Sequence, residues 1–424
     1  MIFKRLYFTI TCCFLQSTFS FTQNTDQIIE NYLKSDVDQK LVVLFENYGD
    51  IEGLSADTIL YFIRDLQKNG IQKNREDVLA FSNYYFGNYL NDQGFFLEAE
   101  KKLKAAKEFF SFREVDSMLA SVYNALGNNE YLQGKIKAAE AYYLKSHHHG
   151  KKSDIGKFEH FALANLGRIY IGQKKYDEAK QILEDYIAYN KKAENFRNVG
   201  TGYGLMSQLY LDQEKFDEAT EFLERSMEYN LSTGNPKLIA NGYTNVAIAH
   251  YIKEDYERAE KNFHLALAYR KKAGDPFFIA ESYYNLGDFY LGQEQADSAL
   301  VYYTKSYEIA KENNNQLGEK DALIQLAAVF EEKKMHKEEA EKLKEYIAVV
   351  EELNAEKLSR ELNILRTSFE EELELNSYQG HQREEILRDR VAETNRIWDY
   401  WIWIVLGGIL VLTGVIYFAP SRKK

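Results

Sequence analysis

Apolar residues recur at three- and four-residue spacing along most of the chain, as in residues 283–290 and 259–266, which is the signature of amphipathic helices. A longer period lies over this one. Alanine returns in one local context at Ala99, Ala139, Ala179, Ala219, Ala259, Ala299 and Ala340, with spacings of 40 five times and then 41. Twelve residues before the first six stand Gly87, Gly127, Gly167, Ser207, Ala247 and Gly287, all small. Aromatic residues keep the same phase: Tyr170, Tyr210 and Tyr290 nine before the alanine, and Phe96, Tyr176, Phe216 and Tyr256 three before it. Each unit therefore reads as two helices, with short polar joints such as Gly172-Gln173-Lys174-Lys175 suited to an antiparallel hairpin. The small residues are expected to let paired helices approach closely, and the aromatics to fill the wedge between hairpins. The seventh unit is expected to hold one extra residue, with Ala327 or Ala328 in the small position. An internal period of this length marks a stacked array of about seven hairpins over residues 80–346, an all-α solenoid.

The flanks can be placed against that array. Residues 24–79 contain two further helical patterns, 26–48 and 55–68, expected to cap the first hairpin because an open solenoid end needs covering. After the last hairpin, Leu343, Ile347, Val350, Leu358, Leu362, Leu365 and Phe369 continue an apolar stripe. Residues 347–398 thus read as a long juxtamembrane helix that could pair as a coiled coil, with a homodimer as one outcome. Residues 400–419 carry no charge and at about 1.5 Å per residue span the roughly 30 Å of a bilayer core, which predicts a transmembrane helix at 399–419. Trp398, Trp401 and Trp403 at its start and Tyr417 and Phe418 at its end suit an interfacial aromatic belt. The basic tail, residues 420–424, puts the C-terminus in the cytoplasm. At the other end, Lys4 and Arg5 precede a short apolar stretch and the small-x-small site Thr18-Phe19-Ser20, so residues 1–20 read as a secretory signal peptide. Both signals agree on a single-pass inner membrane protein with its repeats outside the cytoplasm.

Composition narrows the partners. Only 3 Pro among 424 residues argues for long helices and against a turn-rich β fold. The net charge is −12; without Lys4, Arg5, Arg422, Lys423 and Lys424 the remainder is 48 basic against 65 acidic groups, or −17. No basic face can be assembled from such a balance, which disfavours nucleic acid. Cleavage near Ser20 would remove both cysteines, Cys12 and Cys13, and with them disulfide and thiol chemistry. The common catalytic and nucleotide-binding motifs are absent, so no enzyme, cofactor or metal is implied. His147, His148 and His149 form an unusual run, but consecutive helical positions point about 100° apart and do not chelate as an i, i+4 pair would. They read as an exposed helix end, with metal binding through His160 as the lesser alternative, and His250 reads as a packing residue.

The pattern Tyr283, Leu286, Gly287, Tyr290, Ala299, Tyr303 and Ser306 resembles the tetratricopeptide repeat family, in a form six residues longer than the usual 34-residue unit. The resemblance implies that the first helix of each hairpin lines a concave groove, and that residues flanking the small position contact extended peptides. Those positions hold Asn165, Asn245 and Asn285 two before it, and Asn88, Asn128, Arg168, Gln208 and Asp288 one after it. An amide suits this work because it donates and accepts at once. The family's two-carboxylate clamp adds lysines that are missing here, which argues against capture by a C-terminal carboxylate. The order of segments also resembles the sensory half of bacterial membrane receptors with a histidine kinase or DNA-binding output. Only residues 420–424 follow the span, so any signal is expected to pass laterally to another membrane protein. The leading expectation is a membrane-anchored module that binds a protein or peptide; a constitutive scaffold of an envelope complex is the alternative.

Overall fold

A computed structural model of the chain describes residues 25–46, 56–153 and 158–356, together with scattered positions between 358 and 396. The signal-like residues 1–20, the expected transmembrane segment 399–419 and the tail 420–424 lie outside the described residues, as does most of 357–398. Among the described residues no helix is long and apolar enough to cross a membrane. The chain divides into two compact units, Met1–Asn354 and Ala355–Lys424.

The first unit is a stack of helical hairpins. Three leading helices, α1 (Thr25–Lys34), α2 (Val37–Glu46) and α3 (Ala56–Gln72), precede it. The hairpins are α4/α5 (Glu76–Asp92, Phe96–Phe112), α6/α7 (Asp116–Leu132, Ile136–Lys152), α8/α9 (Leu163–Gly172, Tyr176–Lys192) and α10/α11 (Phe196–Leu211, Phe216–Ser232). They continue with α12/α13 (Pro236–Ile252, Tyr256–Ala273), α14/α15 (Pro276–Leu291, Ala296–Glu312) and α16 (Gln316–Glu332) paired with α17, residues 336–356. The expected pair of capping helices differs in one respect. The pattern at 26–48 is two helices, because the Asp36 carboxylate accepts from the Gln39 amide at 2.9 Å and starts a new helix.

Successive helices are joined by almost the same turn. Phe95 N–H donates to the Leu90 carbonyl at 2.8 Å and Gly94 N–H to that of Asn91 at 3.0 Å, the 6→1 and 5→2 pair of a Schellman motif. The left-handed residue of this turn stands at Asn74, Gly94, Glu114 and Gly134, and again at Lys174, Glu194, Glu214, Gly234, Glu254, Gly274, Glu294, Asn314 and Lys334. All these positions fit one twenty-residue pitch, finer than the forty-residue period legible in the sequence. The pitch corrects the expectation for the last hairpin, which has no extra residue. Its turns fall on Asn314 and Lys334, so Glu339, half-buried, is the counterpart of Ala299, and Ala340 is exposed. Ala327, at 3% exposure, fills the small position and Ala328 is exposed.

Packing follows the alanine and glycine register. Ala99, Ala139, Ala179, Ala219, Ala259 and Ala299 are fully buried. A Cβ on Gly127 would lie 2.5 Å from the Tyr143 ring, and one on Gly287 2.5 Å from that of Tyr303, so the two helices touch through these glycines. The first helix of each hairpin is the inner one: α12 buries residues nearly all round, from Leu238 to Tyr251, whereas α13 buries only Ala259, Phe263, Ala266, Leu267 and Arg270. Every second hairpin adds a common hydrogen bond, from Ser146 Oγ to the Ala120 carbonyl, Ser226 to Gly200 and Ser306 to Ala280, at 2.7, 2.8 and 2.8 Å.

The third hairpin departs from the others. Its inner helix α8 begins only at Leu163, after turns at 158–162. The chain here presses on α7, where a Cβ at Gly150 would sit 2.1 Å from the Phe158 carbonyl oxygen. Of the second unit, Leu358, Leu362 and Leu373 are exposed.

Candidate functional site: a polar row on the inner helices

The inner helices keep one polar face, and all eight sequence-derived candidates sit on them. Asn88, Asn128, Asn165, Arg168, Gln208, Asn285 and Asp288 are half-buried, and Asn245 is buried. Their side chains differ in what they already hold. Asn88 donates to the Tyr84 carbonyl one turn back at 3.0 Å. Asn128 accepts from the Tyr143 hydroxyl at 2.8 Å, and Asp288 from that of Tyr303 at 2.6 Å. These last two pairs tie an inner helix to its outer partner at the glycine contact.

The structure brings three candidates into direct contact. Asn165 Nδ2 donates across the hairpin boundary to Asn124 Oδ1 at 3.1 Å and to Asn128 Oδ1 at 3.4 Å, while Arg168 Nη1 donates to Asn165 Oδ1 at 3.0 Å. Burial pushes the Tyr143 and Tyr186 hydroxyls above the ordinary tyrosine range, an effect the nearby Arg168 charge reduces. Gln208, Asn245 and Asn285 are not joined to this network. Asn124 was overlooked in the sequence although it stands one turn before Asn128 on the same face.

A second polar cluster had no sequence signal. Arg270, in the basic run Arg270-Lys271-Lys272, is only 4% exposed. Its Nη2 donates to Asn241 Oδ1, lies 3.7 Å from Glu281 Oε2, and its guanidinium sits 4.4 Å from the Phe278 ring centre. Burial pushes the Glu281 carboxyl up, opposed by the Arg270 charge.

The histidine run is not simply an exposed end. His148 is exposed, but His147 and His149 are half-buried. His147 Nδ1 donates to the Glu159 carbonyl at 2.5 Å, and His149 Nδ1 pairs with Asp116 Oδ1 at 2.6 Å. His160 stacks on Tyr189 with centroids 3.8 Å apart. His147 thus ties α7 to the turn before α8, His149 ties it to the start of α6, and His160 ties that turn to α9. Among the described residues no three His, Cys, Asp or Glu side chains are grouped to hold a metal ion.

Comparison with known proteins agrees with the hairpin geometry. Residues 238–312 and 278–352 match one tetratricopeptide repeat family model, and residues 162–192 and 201–233 match another. The chain carries tetratricopeptide repeats. No curated protein matches the sequence. Among solved structures, aspartyl phosphate phosphatase F from Bacillus subtilis is similar at 13% identity over 78% of this chain and 94% of its own, with a TM-score of 0.48. BtubC from P. vanneervenii is 17% identical over 52% of this chain and 91% of its own, with a TM-score of 0.44. PilF from Pseudomonas aeruginosa is 19% identical over 57% and 96%, with a TM-score of 0.39. These are likenesses of helical build and say nothing of ligand or activity.

Proposed function

We propose that the protein is a membrane-anchored tetratricopeptide repeat module that captures a protein or extended peptide along its inner helices, outside the cytoplasm. The observation that carries this reading is the row of amide and charged side chains, from Asn88 to Asp288, kept on the inner helices of an otherwise apolar inner layer. Packing accounts for Asn128 and Asp288, which tie inner to outer helices, but not for Gln208, Asn245 and Asn285, which make no side-chain hydrogen bond among the described residues. The anchor rests on the charge-free stretch 400–419 with its aromatic and basic flanks, and the orientation on residues 1–20. Exposed Leu358 and Leu362, one turn apart, favour pairing of the juxtamembrane segment with a second copy.

The test is cross-linking in membranes followed by purification of the full chain. The wild type is expected to bring down a partner in amounts that vary with the supply of that partner. Replacing Asn165, Asn245 and Asn285 together by Ala is expected to abolish the capture while the far-ultraviolet circular dichroism stays helical. Retention of the same partner by the triple variant would exclude the inner row as the binding surface. Constant stoichiometry under all conditions would favour the envelope scaffold instead.

A further inference from the structure

The polar row is divided between groups held within the protein and groups left open. Asn88, Asn128, Asn165 and Asp288 are bonded to Tyr84, Tyr143, Asn124 and Tyr303. Gln208, Asn245 and Asn285, on the successive inner helices α10, α12 and α14, make no side-chain hydrogen bond among the described residues. Asn245 is the most unusual of the three. It is 8% exposed, and its Oδ1 is buried with no donor.

The register explains why. Asn165 occupies the same place two hairpins earlier, and its amide finds Asn124 and Asn128 on the preceding inner helix. For Asn245 the corresponding residues are Gly204 and Gln208. Ile248 stands where Arg168 donates to Asn165 Oδ1, and Gly204 stands where Asn124 accepts from the Asn165 Nδ2, so Asn245 Oδ1 is left buried with no donor and its Nδ2 without that acceptor. A buried acceptor without a donor is unfavourable, and a donor from outside relieves it.

We propose that hairpins four to six form the segment that reads the ligand, and that Asn245 turns out of its buried position to do so. This rests on the peptide-capturing function proposed above. The ligand is an extended peptide recognised through its backbone, because each free amide can donate to a peptide carbonyl and accept from a peptide N–H of one residue. Glu281 and Asp288 on α14 disfavour an acidic residue at that end. Hairpins one to three, with their amides already bonded, hold the shape of the surface.

The experiment selects random decapeptides displayed on phage against the full chain purified in detergent, then measures the affinity of one labelled selected peptide. Gly204→Asn places beside the Asn245 amide a side-chain amide like the one Asn124 places beside Asn165, and so ties Asn245 down within the protein. It is expected to weaken peptide binding at least tenfold without lowering the unfolding temperature. Gln208→Ala and Asn285→Ala, at half-buried positions that do not threaten folding, are each expected to weaken it several-fold. N-methylation of the peptide backbone at the contacting residues is expected to weaken binding to the wild type by a similar factor. Wild-type affinity in Gly204→Asn and in both alanine variants would overturn the assignment to hairpins four to six and leave peptide capture standing. Failure of the wild type to select any peptide would overturn peptide capture itself, and this inference with it.

Discussion

His250 stands where hairpins three, four and six carry Tyr170, Tyr210 and Tyr290. It is 4% exposed, its Nδ1 has no hydrogen-bond partner, and Asp255 Oδ2 lies 3.5 Å away. Burial holds its pKa below the ordinary histidine value; Asp255 and Glu224 oppose this, and Arg258 and Lys253 reinforce it. The unfolded chain therefore takes up a proton at a pH where the folded one does not. Stability is full above the unfolded histidine pKa and is lost as pH falls toward the folded one. Replacing His250 by Tyr restores the residue of its neighbours and removes this titration. The fall in unfolding temperature between about pH 8 and about pH 5 is expected to shrink in the variant, measured by calorimetry. An unchanged fall would place the titration elsewhere. At this scale the sequence was a good guide to which residues face inward, since spacing alone puts Asn165 and Arg168 on one face. It could not tell which amides are free, because that depends on Asn124 and Tyr143 reaching across to other helices.

Turns are where element-level reading was weakest. Pro236 and Pro276 do open helices, behind Asn235 and Asp275, whose side chains accept from the first-turn amides. Asn195, Asp255 and Asn315 cap in the same way, but at α7, α9 and α11 the cap position holds Lys135, Lys175 and Lys215 with no side-chain bond, and the left-handed position holds Glu114, Glu214, Glu254 or Lys334 at several turns. Neither residue type signals a cap or a left-handed turn, so the twenty-residue pitch was hidden behind unremarkable polar joints. Tertiary stacking imposes that conformation on residues that resist it at a cost of about 1–2 kcal/mol each. Glu254→Gly should relieve the strain and raise stability by about 1 kcal/mol, read from urea unfolding. Lys215→Asp, supplying a missing cap, should add about 0.5–2 kcal/mol. A loss of stability in either variant would mean that the native side chain makes a contact worth more than the backbone strain.

For the whole molecule, the pitch separates two deletions that look alike in turn geometry. Removing residues 196–235 takes out one hairpin and rejoins equivalent turns, so the shortened chain is expected to unfold cooperatively with lower total stability. Removing residues 196–215 also rejoins equivalent turns, but it places α11, built with one apolar stripe, where an inner helix buried nearly all round must lie. That chain is expected to aggregate or to lose its helical melting transition. Cooperative folding of both would show that inner and outer helices are interchangeable. The forty-residue frame was legible in the sequence because inner and outer helices differ in composition, while the common turn left no comparable trace. In the gene, one pitch corresponds to sixty nucleotides and two pitches to one hundred and twenty. A copying slip of either length keeps the reading frame and the turns, yet only the longer preserves the alternation of inner and outer helices. Selection on folding would therefore let such an array lengthen or shorten by whole hairpins while discarding half-steps that its reading frame permits.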